Sequence, residues 1–232
     1  AQAVDDRAGV LHAEGATGGP RVLSDQPFYL GINDPVGLNP AGAAFDPSAF
    51  TIFDAWADLP GPRRDERDHT RSAISRGQRL FDTMPITITG VAGLNNQTFS
   101  NGVTVPASFI GTCTTCHDTP NVGNHSVKAP LNIGLTDASR RTPDMPLYTL
   151  RRLSTGESVT TTDPGRAMTT GKWADIGKFK GPILRGLAAR APYFHNGSAR
   201  SLEDVLDFYD TRFNLGLTAQ QRADLVAFLR AL

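Results

Sequence analysis

The sequence predicts a mainly α-helical domain with long irregular loops, one short β-hairpin and an extended N-terminal arm. Three observations carry that expectation. Two stretches near the C terminus, 201–210 and 218–232, repeat apolar residues at helical spacing. The first 70 residues are instead crowded with Gly, Pro, Ala and Asp and hold no sustained helical period. Between them lies the string Cys113-Thr114-Thr115-Cys116-His117, which contains both cysteines of the chain. At 232 residues there is room for one ordinary core and an extension.

The expected arm, residues 1–70, is punctuated by Gly18-Gly19-Pro20, Asn33-Asp34-Pro35 and Leu59-Pro60-Gly61-Pro62. Aromatic patches at Phe28-Tyr29 and from Phe50 to Trp56 should anchor it to the main domain, residues 71–232, because so much aromatic surface is costly in water. That domain opens with a helix over Arg71–Met84, with Ile74, Leu80 and Phe81 at helical spacing and Thr70 or Ser72 as its cap. Ile86 and Ile88, then Val103 and Val105, alternate around Ser100-Asn101-Gly102, which predicts the hairpin. A helix carrying the cysteines follows, and then irregular chain to about Gly181. Ser201–Asp210 presents Leu202, Val205, Leu206 and Tyr209 on one face. Thr218–Leu232 begins with a Thr218–Gln221 capping box and presents Leu225, Phe228, Leu229 and Leu232.

Net charge is zero, yet residues 1–70 sum to −6, residues 71–200 to +8 and residues 201–232 to −2. That polarity suits pairing of the arm with the main domain, or steering of a charged partner. The cations are scattered and not interleaved with aromatics, which argues against nucleic-acid binding. No apolar run has the length of a membrane span, and Ala1–Asp6 lacks the pattern of an export leader, so a mature exported chain is expected.

Covalent haem attachment needs two thiols presented by one turn of chain and, directly after them, an imidazole that reaches the iron. Residues 113–117 supply all three. A redox dithiol would sit behind a strand in a βαβ unit, a zinc site would need further thiols, and a structural disulfide would leave His117 unexplained. The main domain is therefore expected to be a cytochrome c-like helical domain around one haem c, with His117 as the proximal iron ligand. This chemistry places the protein in the periplasm or another exported compartment. Met145 before Pro146, Met168, His125 and Tyr209 are the candidates for the opposite face of the iron.

Asp163-Pro164-Gly165-Arg166-Ala167, the run Thr170–Lys180, Pro182-Ile183-Leu184-Arg185 and Ala191-Pro192-Tyr193-Phe194-His195-Asn196-Gly197-Ser198 form a further signature, with Ser201–Val205 and Asp224–Leu229 behind it. Together they resemble the C-terminal haem domain of the bacterial di-haem cytochrome c peroxidases and of their relative MauG, over about residues 71–232. Members of that family have an N-terminal haem domain where peroxide reacts and a C-terminal one that receives electrons; this chain resembles the latter. Residues 1–70 hold no second attachment motif. The resemblance thus implies a single-haem relative. In the peroxidases the distal ligand of this domain is a Met fourteen places after the His of the Pro-Tyr-Phe-His string, and in MauG a Tyr. The matching residue here is Tyr209.

Arg185 is the first choice for a guanidinium that neutralises a haem propionate. Trp173 resembles a family position in the long loop and is expected to pack on the macrocycle or in the core. His195 is expected to serve as a proton carrier near the haem or as a structural residue bonded to backbone. Two functions follow. One is electron transfer with a soluble redox partner, a small cytochrome or a copper protein. The other is a peroxidase-like oxidoreductase whose open or labile distal site admits a small oxidant.

Overall fold

The computed structural model describes residues 3, 6–57, 59 and 65–232. Six helices occupy Val10–Ala13 (α1), Pro20–Asp25 (α2), Glu66–Thr83 (α3), Ala167–Thr170 (α4), Leu202–Phe213 (α5) and Ala219–Ala231 (α6). Two small antiparallel sheets join them, Ile86–Thr89 (β1) with Ser108–Gly111 (β2) and Tyr148–Arg151 (β3) with Ser158–Thr161 (β4). No helix among the described residues is long and apolar enough to cross a membrane.

The core is organised by α3 against α6. Gly77 is where they touch: a Cβ there would lie 2.0 Å from the Asp224 carbonyl oxygen and 2.7 Å from Phe228 Cβ, so only glycine permits the approach. Arg76 clasps Asp224 beside this point with two hydrogen bonds of 2.8 Å. Leu225, Phe228, Leu229 and Leu232 are all buried, as their spacing predicts. Helix α6 starts at the expected cap, Thr218 accepting from the Gln221 N–H, and Ser201 caps α5 by accepting from the Asp204 N–H. Helix α3 instead starts at Asp65, whose carboxylate accepts from the Asp68 N–H; residues 66–70 are helical, and neither Thr70 nor Ser72 is the cap.

The first 70 residues are not an arm laid on a finished domain. Phe50, Ile52, Phe53 and Trp56 lie at the centre of the main core. Phe50 packs edge-on against Phe81 and Phe228 at 5.5 and 5.3 Å, and Phe53 stacks on Trp56 at 4.8 Å. Side chains of α3 satisfy the backbone of this buried segment, Gln78 accepting from the Phe53 N–H at 2.9 Å and Asp82 from the Phe50 N–H at 3.3 Å. The other expected anchor is exposed: Phe28 and Tyr29 are 62% and 37% accessible. The expected turn at Leu59–Pro62 lies largely outside the described residues.

A hairpin forms after α3, but with different strands. Ile86 pairs with Gly111 and Thr89 with Ser108, so β2 follows Val103 and Val105. Those valines belong to a smaller loop closed by a Thr98–Thr104 bridge around the expected Gly102 turn, where the residue adopts φ +83°. The β3–β4 hairpin has no counterpart in the sequence expectation, which placed irregular chain there.

Candidate haem site

Strand β2 runs through Gly111 into a single 3-10 turn at Cys113–Thr115. Three threonines fix it. Thr115 Oγ1 accepts from the Thr112 N–H at 2.9 Å, the Thr112 and Thr114 hydroxyls lie 2.6 Å apart, and Thr114 donates to the Pro47 carbonyl at 2.9 Å. The Cys113 carbonyl accepts from both the Cys116 and His117 N–H groups, at 3.2 and 3.1 Å. One tight turn thus presents two thiols and an imidazole together. The cysteines are free thiols rather than a disulfide. Burial pushes each up to about 12, the opposite of an activated redox dithiol.

His117 Nδ1 lies 2.5 Å from the Gly123 carbonyl oxygen. Burial lowers its proton affinity, against the opposing pull of that hydrogen bond. The Gly123 carbonyl can only accept, so Nδ1 is the donor of this bond, and burial disfavours the charged ring, which leaves Nε2 as the nitrogen available to a metal. The following loop is stitched to the N-terminal segment. Asn33 donates to the Asp118 and Asp46 carbonyls, both at 2.9 Å, and the Asn121 N–H donates to the Ala49 carbonyl at 2.7 Å.

Tyr209, on α5, sits in an aromatic group. Phe194, Phe208 and Phe213 have ring centroids 6.3, 5.2 and 6.2 Å from it. Burial, reinforced by the nearby Cys116 and Cys113 sulfur atoms, pushes the phenol well above its ordinary value. The ring is half-buried, and its hydroxyl makes no hydrogen bond among the described residues; it is not one of the buried polar atoms, so the oxygen faces accessible space. A phenol oxygen placed there without a protein partner is available to a cation such as ferric iron. Phe109, Ile133 and Phe213 leave half-buried apolar surface in the cluster that includes both cysteines, the kind of lining a porphyrin needs. The thiol pair, the oriented imidazole and this apolar lining fit covalent haem c, and the Tyr209 phenol is a further donor of suitable chemistry.

The other candidates are placed elsewhere. Met168 is 72% exposed, and Met145 sits half-buried after a turn closed by its N–H to the Thr142 carbonyl. His125 is buried with its Nδ1 3.4 Å from Asp118 Oδ2, in the loop behind His117. Arg185 is buried too, but its guanidinium donates to the Gly18 carbonyl of the N-terminal segment. Trp173 is half-buried in a 3-10 turn, its carbonyl accepting from the Ile176 N–H, and its indole makes no hydrogen bond or ring contact among the described residues. His195 is bonded to a carboxylate rather than to backbone: its Nδ1 lies 2.5 Å from Asp163 Oδ2 on an exposed face. The Gly123 carbonyl and the Pro47 and Asn33 contacts were not foreseen; only the Asn121-Val122-Gly123 turn signal pointed to the first.

The family described as RoxA-like, cytochrome c-like matches residues 178–215, which hold His195 and Tyr209. The cytochrome-c peroxidase IdrP1 of Pseudomonas sp. is 33% identical over 140 residues, covering 52% of this chain and 36% of the relative. The cytochrome-c peroxidase IdrP2 of Denitromonas iodatirespirans is 33% identical over 141 residues, covering 53% and 36%. The chain thus spans about a third of the length of the curated relatives it matches. The crystal structure of a MauG-like protein associated with microbial copper homeostasis matches 72% of this chain and 50% of its own, at 25% identity and a TM-score of 0.42.

Proposed function

Because this chain belongs to the bacterial di-haem cytochrome c peroxidase and MauG family, we propose that it is an exported electron-transfer domain carrying one haem c. Cys113 and Cys116 would hold the macrocycle, and His117 and Tyr209 would supply donors to its iron. The single Cys-x-x-Cys-His string supports one haem per chain. The observation that carries the reading is the Cys113–His117 turn, which presents two thiols and an imidazole whose Nδ1 lies 2.5 Å from the Gly123 carbonyl oxygen. Bound haem supplies a one-electron couple. The chain's own residues orient the imidazole through Gly123, exclude water with the aromatic group around Tyr209, and place a hard anionic donor that favours the oxidised metal. A soluble partner, a small cytochrome or copper protein, would deliver or accept the electron.

A peroxidase-like reading is favoured by the names of the relatives at 33% identity. It requires the distal phenol to yield its place to a small oxidant. Optical and EPR spectra of the purified ferric protein separate the two: a six-coordinate spectrum unaltered by peroxide supports electron transfer, and a high-spin spectrum that peroxide changes supports the enzyme.

A further inference from the structure

Two arginines beside the distal helix have no counter-charge. Arg140 ends the 3-10 turn Ala138–Arg140, and its guanidinium lies 4.3 Å over the ring of Phe208, the neighbour of Tyr209. Arg141 follows it and donates through one terminal nitrogen to the Thr160 carbonyl on β4. The Nε atoms of both are buried without a partner, and among the described residues neither guanidinium has a carboxylate within ion-pair distance. A half-buried cation without a counter-charge is costly, and fork-shaped guanidinium groups match carboxylates.

The acids nearby are already engaged. Arg222 holds Asp207 and Asp210, Arg230 holds Glu203, and Asp204 closes the α5 cap by accepting from the Arg200 and Ser201 N–H groups. Asp163 holds His195, and Asp137 on the loop itself makes no ion pair with either arginine among the described residues. Two uncompensated positive charges therefore flank the face that carries Tyr209. Haem presents two carboxylates.

We infer that Arg140 and Arg141 are the residues that receive the haem propionates, in place of Arg185, an assignment that rests on the haem reading above. Arg185 also has unpartnered Nε and NH1 atoms, but its bonded nitrogen faces Gly18 and its backbone follows Leu184, which pairs with Val122 in the loop behind His117. Arg140 and Arg141 stand at the aromatic face instead.

The test uses the full holo-protein with Arg140→Gln, Arg141→Gln and the double variant. Arg185→Gln serves as the rival, and Arg152→Gln, at an exposed cation paired with Glu157, as the control for simple loss of charge. Haem content is measured by pyridine haemochrome, the propionate-bending band by resonance Raman, and the midpoint potential across pH by redox titration. The double variant should shift the propionate band and lower the midpoint potential at least twice as far as Arg152→Gln. The pH at which the potential becomes pH-dependent should rise, because a propionate without its cation holds its proton more tightly. Replacement of both residues by Lys should recover part of each shift. If the double variant does not mature, the two single variants read the same band and potential. A fully loaded double variant that matches the Arg152→Gln control, or a band moved only by Arg185→Gln, overturns the assignment and leaves the haem reading intact. Absence of haem from the unaltered protein would instead defeat the reading beneath it.

Discussion

The Gly123 carbonyl oxygen stands 2.5 Å from His117 Nδ1, and the residue that supplies it can only be glycine. Gly123 adopts φ +71°, and a Cβ on it would meet Phe50 Cζ at 2.6 Å and Leu184 Cδ1 at 2.8 Å. Gly123→Ala therefore combines left-handed strain of about 1–2 kcal/mol with a core clash. The holo-protein should melt at lower temperature, and the iron–histidine stretch of the ferrous form should weaken as the hydrogen bond lengthens. Unchanged melting and an unchanged stretch would show that the carbonyl does not orient the ring.

Cys113 and Cys116 are half-buried thiols held above ordinary acidity, which does not suit a free nucleophile. Replacement of either by Ala should sharply reduce the yield of haem-loaded protein. Pyridine haemochrome of the parent should read one haem c per chain. A mature parent protein with an intact Cys113–Cys116 disulfide and no haem would contradict this.

Phe53 has no exposure and is surrounded by Trp56, Phe228 and α3. Phe53→Ala should cost about 3–5 kcal/mol, the range for emptying a buried aromatic site. A denaturation series showing under 1 kcal/mol would return the segment to the role of a peripheral arm.

That placement shows what could be read in the chain and what could not. The α5 and α6 caps and the α6 stripe are local patterns, and Cys113–His117 is a local motif, so all were legible. Phe50–Trp56 is buried by partners far along the chain, Gln78 and Asp82 above all, and nothing periodic marks it. Tyr148–Arg151 and Ser158–Thr161 escaped because neither carries an apolar alternation: the first is largely exposed, and the second runs from exposed Ser158 to a buried threonine, Thr161. The Gly123 contact uses a backbone oxygen, which no side chain announces. Tyr209 was legible only through its spacing from His195.

Asp82 is buried in α3 and pushed up to about 8, chiefly by burial, against the hydrogen bond from the Phe50 N–H, with Asp54 and Asp46 adding to the rise. An unfolded Asp titrates near ~3.9. Between those values the folded protein keeps a proton that the unfolded chain has lost, so this group's contribution to stability falls as pH rises through the interval. Asp82→Asn retains an acceptor for Phe50 and removes the titration. Denaturant melts at pH 5 and pH 8 should show a shallower decline for the variant, and parallel declines would argue against the assignment.

Tyr209 gives the sharpest test, because its phenol is suited to one neighbour and poorly suited to its absence. Its hydroxyl has no hydrogen-bond partner among the described residues, and burial resists its ionisation. Phenylalanine fills nearly the same volume beside Phe194, Phe208 and Phe213, so Tyr209→Phe should leave folding and haem content close to the parent's. What changes is the donor to the metal. Losing a hard anionic ligand removes the preference for the oxidised state, so the midpoint potential should rise and the ferric spectrum should become high-spin or acquire water. The same variant should react with peroxide faster than the parent, since the distal position opens. If Tyr209→Phe leaves spectrum and potential untouched while Met145→Ala alters both, Met145 is the ligand. That result would make the protein an ordinary sulfur-ligated carrier and remove the likeness to MauG at this position.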